Sequence, residues 1–177
     1  MQDLMTTLKF SAAFAVFFGL ASPAFACDAE PLVKSISTSF ERAALSASPK
    51  AFSNAVARYT NFHDVALFAL GTYRSKLPAG GEARYIALAR KFLGRYMAEN
   101  STRISGTGIT IQTCTAEVVN ARFGNGTTVQ FRLAGPRRVA DISVSGVSLA
   151  GILRSKFTDF LRSHNGDFNA FMIYLEQ

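Results

Sequence analysis

The chain has 177 residues, with 19 lysines and arginines against 12 acidic residues, a formal net charge of +7, two cysteines, two histidines and no tryptophan. The basic residues are scattered along the chain rather than clustered, which argues against nucleic acid as a partner. The histidines and cysteines show no metal-ligand spacing, so nothing points to a metal centre or a cofactor.

In chain order, a short polar start ending at Lys9 is followed by the apolar run 10–20, then Pro23 and the small-residue pattern Ala24-Phe25-Ala26. The run is too short to span a bilayer, and the pattern predicts a secretory signal peptide over residues 1–26 with cleavage after Ala26. Residues 27–177 then form one predicted domain of an exported protein, long enough to bury a core. Asp3 and Lys9 leave together, so the mature chain keeps its charge, and five of the 16 phenylalanines leave with them. Export permits a disulfide between Cys27 and Cys114. A lipid-modified Cys27 and a pair of free thiols are the alternatives.

Residues 31–46 predict a helix with Leu32, Ile36, Phe40 and Ala43 on one face. Pro49 opens a second helix, carrying Phe52, Val56 and Tyr59. A third, 64–70, is apolar nearly all round and is predicted to be buried, with Gly71 ending it. After the break Pro78-Ala79-Gly80-Gly81 comes a long amphipathic helix reaching Asn100, with Tyr85, Leu88, Ala89, Phe92 and Tyr96 on one face. Beyond Asn100 the periodicity changes to two. Ile109 and Ile111, then Val119, Ala121 and Phe123, then Val129, Phe131 and Leu133, then Ala140, Ile142 and Val144 alternate with polar residues, punctuated by Gly124-Asn125-Gly126 and Gly135-Pro136. Two helices close the chain, 149–164 and one capped by Asp167. The fold class is α+β: N-terminal helices, a short antiparallel meander of three to four strands with one apolar face, and C-terminal helices.

Catalytic signatures are sparse. There is no phosphate loop and no G-x-S-x-G elbow. His63 beside Asp64 is the one candidate base with an adjacent carboxylate, but neighbouring residues on a helix do not normally face each other. His164 suits the C-terminal end of a helix. The apolar and aromatic excess fits either a filled core or a ligand cavity.

Two stretches carry a family resemblance. In residues 67–97, Leu70-Gly71 ends an apolar helix. An aromatic-arginine pair (Tyr73-Arg74), a break at Pro78-Ala79 and an aromatic helix with Tyr85, Phe92, Leu93 and Tyr96 follow. In residues 142–175, a last strand meets the corner Gly146-Val147-Ser148 before paired helices. In order and spacing these resemble the MlaC-type periplasmic phospholipid-binding family, also called the toluene-tolerance or auxiliary transport family, including its hopanoid-associated branch. The chain departs from that pattern at 134–138, where the hairpin is short, and at Ser145, where the family usually has an acidic residue. The resemblance implies a non-enzymatic carrier with no cofactor. It would shuttle phospholipid between an inner-membrane ABC transporter complex and an outer-membrane lipoprotein or porin complex. It also implies an apolar cavity between sheet and helices, walled by Leu67, Leu70, Tyr73, Phe92, Tyr96, Val119, Phe131, Val144, Val147 and Phe157. The competing expectations are a hopanoid or other apolar ligand on the same fold, an exported enzyme using His63, and an interaction module with a filled core.

Overall fold

A computed structural model describes residues 27–103, 108–135 and 137–177. The predicted signal peptide and Pro136 of the second predicted turn lie outside the described residues. The helices are α1 (Glu30–Leu45), α2 (Pro49–Tyr59), α3 (Phe62–Ala69), α4 (Glu82–Glu99), α5 (Leu149–Ser163) and α6 (Phe168–Glu176). The strands are β1 (Ile109–Cys114), β2 (Val118–Phe123), β3 (Thr128–Leu133), β4 (Val139–Val144) and β5 (Val147–Ser148), and they pair antiparallel in chain order. The meander therefore has five strands, the last of only two residues.

Local chemistry sets the element ends. Ser48 caps α2 by accepting from the Ala51 amide, with Pro49 in the first turn. Asp167 caps α6 by accepting from the amides of Asn169 and Ala170. Gly71, at φ +57°, follows α3 in the left-handed conformation and leads into a 3-10 turn over Gly71–Lys76. Ser145 and Gly146, at φ +50° and +80°, make the two-residue turn that pairs Val144 with Val147. At the following residue the strand becomes helix. Ser148 Oγ accepts from the Gly151 amide, and Asp141 of β4 accepts from both the Ser148 hydroxyl and the Ala150 amide. The start of α5 is thus tied directly to the sheet.

The buried sheet face carries Val119, Ala121, Phe123, Val129, Phe131 and Ile142, and the helices cover it. On the opposite face Gln130 donates to Asn120, which donates to Thr113, forming a polar ladder across three strands. One face in β4 departs from simple alternation. Arg132 pairs with Asp141 but Leu133 pairs with Val139, so Ala140 is bulged out and Val139 takes the buried place predicted for it.

Helix α1 is fastened at both ends of β1. Cys27 and Cys114 form a disulfide with Cα atoms 5.7 Å apart. At the other end Glu41 Oε1 accepts from the Gly108 amide at 2.8 Å and from the Ser37 hydroxyl at 3.2 Å. This holds Ile36 and Phe40 against the sheet. Helix α4 packs on α2 through Gly94, where a Cβ would sit 2.4 Å from the Pro49 carbonyl oxygen. Its buried stripe is Tyr85, Leu88, Ala89, Leu93 and Met97, with Phe92 and Tyr96 only half-buried at its edge. The Tyr85 hydroxyl, fully buried, donates to the Ala66 carbonyl at 2.6 Å. Helix α3 is less enclosed than its composition predicts. Phe68 is 50% exposed, with Arg154 lying over its ring, 4.6 Å from the centroid.

Candidate functional site

Two surface grooves flank the first turn of α5. The α3–β4 groove, about 350 Å³, runs between α3 and the bulged part of β4. Phe68 and Val65 form its apolar side, but Asp64, Asp141 and Arg132 also line it. The α4–β4 groove, about 440 Å³, lies between the end of α4, the β2–β3 turn and the β4–β5 turn. Tyr96, Met97, Val144, Val147, Leu149 and Ile152 make its apolar wall, Asn100 and Ser145 are part of its polar rim, and among the described residues no carboxylate lines it.

Behind the second groove is a seam between the inner sheet face and the helices. Ile36 and Phe40 of α1 and Met97 of α4 face Phe123, Val129, Phe131 and Ile142 of the sheet across it. The gap is about 10 Å³, room for roughly one water molecule. Met97, Val144 and Leu149 line both the seam and the α4–β4 groove. The α3–β4 groove shares no lining residue with the seam.

The ten residues assigned to a cavity wall separate into distinct places. Tyr96, Val144 and Val147 meet in the α4–β4 groove, and Phe131 joins Val144 at the seam. Val119 is fully buried on the inner sheet face, opposite Phe131 in the strand pairing. Leu67 and Leu70 are buried in the core. Phe92 and Phe157 belong to an aromatic cluster where α4, α5 and α6 meet: their centroids are 5.3 Å apart, and Phe157 lies 5.2 Å from Phe171. Tyr73 sits beside the α5–α6 turn, near Gly166, with Lys76 over its ring. Periodicity identified apolar faces but not which of them end at an opening. Met97, Leu149 and Ile152, which sequence reasoning left out, had a signal available: Met97 continues the α4 stripe one turn beyond Leu93, and Leu149 and Ile152 are three apart on α5.

His63 lies on the surface and lines neither groove. Its Nε2 is 2.9 Å from Glu82 Oε1 and its Nδ1 is 3.1 Å from Asp64 Oδ1. Contact with its sequence neighbour is made in the first turn of α3, which corrects the expectation that adjacent helical residues diverge. The hydrogen bonds to Asp64 and then Glu82 raise the imidazole pKa above its ordinary value. Among the described residues no group of His, Cys, Asp and Glu could hold a metal ion, and no helix is long and apolar enough to cross a membrane.

Fold and grooves together define an α+β protein whose helices cover one face of an antiparallel meander, with an apolar opening at one end of the interface between the two layers. Residues 34–177 match the family described as MlaC protein, and the chain belongs to that family. Among solved structures it is similar to a phospholipid-binding protein from Ralstonia solanacearum, in complex with a phospholipid. The TM-score is 0.64 at 14% sequence identity, over 84% of this chain and 93% of the other, a likeness of fold. No curated sequence matches the chain significantly.

Proposed function

We propose that this protein is a periplasmic phospholipid carrier. It holds acyl chains between its sheet and its helices and shuttles lipid between an inner-membrane ABC transporter complex and an outer-membrane complex. The observation that carries this reading is the sharing of Met97, Val144 and Leu149 between the α4–β4 groove and the seam. The groove lies within the volume range of ligand sites, roughly 300–1,000 Å³, and its floor leads to a continuous apolar interface. Family membership and the phospholipid-bound structure of similar fold support the same ligand class.

A seam of about 10 Å³ is closed to an acyl chain, so loading requires the sheet and the covering helices to part. Both sides of the seam are apolar, and contacts between them are replaced by contacts with the chain. A chain of about fourteen methylenes gains roughly 11 kcal/mol relative to water at ~0.8 kcal/mol each. The lipid comes from a bilayer, however, and transfer from one apolar environment to another is near balance. Such a carrier needs no catalytic group, and the partners supply direction.

The test is native mass spectrometry of the protein purified from the periplasm, with organic extraction and lipid identification. One phospholipid per protein supports the carrier. A hopanoid transfers the reading to a rigid ring ligand on the same fold. A protein that contains no lipid and takes none up from phospholipid vesicles refutes it.

A further inference from the structure

A cation stands beside the aromatic wall of the α4–β4 groove. Lys156 Nζ lies 5.2 Å from the centroid of the Tyr96 ring, and Tyr96 lines the groove. Ile152, one turn earlier on the same face of α5, lines it too. Resting on an aromatic face places an ammonium without consuming its three donors. Among the described residues Lys156 takes part in no ion pair. The carboxylate one turn along, Asp159, accepts from Arg162 and Ser155, each at 3.1 Å.

The opposite side of α5 shows the contrast. Arg154 lies over Phe68 beside the α3–β4 groove, but there Asp64 and Asp141 line the wall and offset its charge. Among the described residues no carboxylate lines the α4–β4 wall, so no wall residue there offsets the charge of Lys156. A lipid whose chains enter at Met97, Val144 and Leu149 leaves its headgroup at this rim.

We infer that Lys156 recognises the phosphate of the bound lipid, so that this groove selects phosphate-bearing lipids over neutral lipids with the same chains. The inference rests on the carrier reading and assigns it a specificity-determining residue. The pair is solvent-exposed, which limits its contribution to a factor of about five in relative affinity.

The experiment offers the delipidated protein an equimolar mixture of phosphatidylglycerol and diacylglycerol with identical acyl chains in detergent micelles. Native mass spectrometry reads the ratio bound. Wild type takes up mainly phosphatidylglycerol. Lys156→Gln lowers the ratio about fivefold while still binding lipid, and Lys156→Arg restores it. Raising the salt concentration narrows the wild-type preference. An unchanged ratio in a lipid-loaded Lys156→Gln protein overturns the assignment and leaves the carrier intact. Displacement of phosphatidylglycerol by millimolar inorganic phosphate also overturns it, because the cation then serves a free anion. If wild type binds neither lipid, the carrier reading itself fails.

Discussion

The two grooves on either side of α5 are similar in size and both contain aromatic and aliphatic side chains, yet they differ in what lies behind them. The α3–β4 groove ends on the Asp141–Ser148 hydrogen bond that ties α5 to the sheet, with carboxylates in its wall. The α4–β4 groove ends on Met97, Val144 and Leu149, which also line the interface between the two layers. An apolar depression becomes a candidate entrance when its floor is also part of a separable apolar interface. Surface area and the presence of aromatics do not distinguish the two.

The largest effect that sharpens this contrast concerns the fastening of α1, which covers the seam. Replacing Cys27 and Cys114 by serine releases a closure between residues 87 apart in sequence. It is expected to lower stability by about 4 kcal/mol, measured by denaturant unfolding against wild type with and without reductant. Next is Gly94→Ala, whose Cβ would meet the Pro49 carbonyl oxygen at 2.4 Å and Ser53 Cβ at 3.0 Å. It forces α4, and with it Tyr96 and Met97, away from α2. A loss of about 2 kcal/mol is expected, and a melting temperature equal to wild type would show that the two helices can separate freely.

The direct comparison uses one residue from each groove. Val147 is 53% exposed and Phe68 is 50% exposed, so aspartate at either site should leave stability within about 0.5 kcal/mol. Val147→Asp is expected to abolish lipid co-purification, whereas Phe68→Asp should retain it. The reverse result would exchange the roles assigned to the two grooves. The smallest effect involves His63 at the start of α3. Its pKa is raised in the fold, so its favourable contribution is fully present below the unfolded value near 6.5 and is lost as pH rises through the raised folded value. Thermal unfolding should therefore show a slight loss of stability from mildly acidic to mildly alkaline pH that His63→Gln removes, with lipid binding unchanged by the substitution.

Much of the fold was readable from local pattern. Val119, Ala121 and Phe123 alternate because strand side chains do, and all three are buried. Pro49 in the first turn of α2, the Asp167 cap of α6 and the turn after α3 at Gly71 appeared where their side-chain and backbone chemistry required. The bulge at Ala140 was not readable, because it depends on how β4 registers against β3. Of the residues expected to wall a cavity, Tyr96, Val144 and Val147 border one groove. Phe92 and Phe157 look like pocket residues in a sequence and pack in an aromatic cluster in space. Tyr96, on the same helix face as Phe92, reaches an opening because α4 ends there.

By itself the sequence determined which faces are apolar, where elements begin and end, and that the architecture is α+β, since these follow from periodicity, capping and turn chemistry within a few residues. Only the tertiary structure decided which apolar faces are filled by one another and which border an opening. It also decided that Lys156 sits on Tyr96 and that Met97, Val144 and Leu149 belong to both groove and seam. Those relations join residues far apart in the chain, and whether two apolar surfaces close completely depends on the matching of their shapes, which no local pattern encodes.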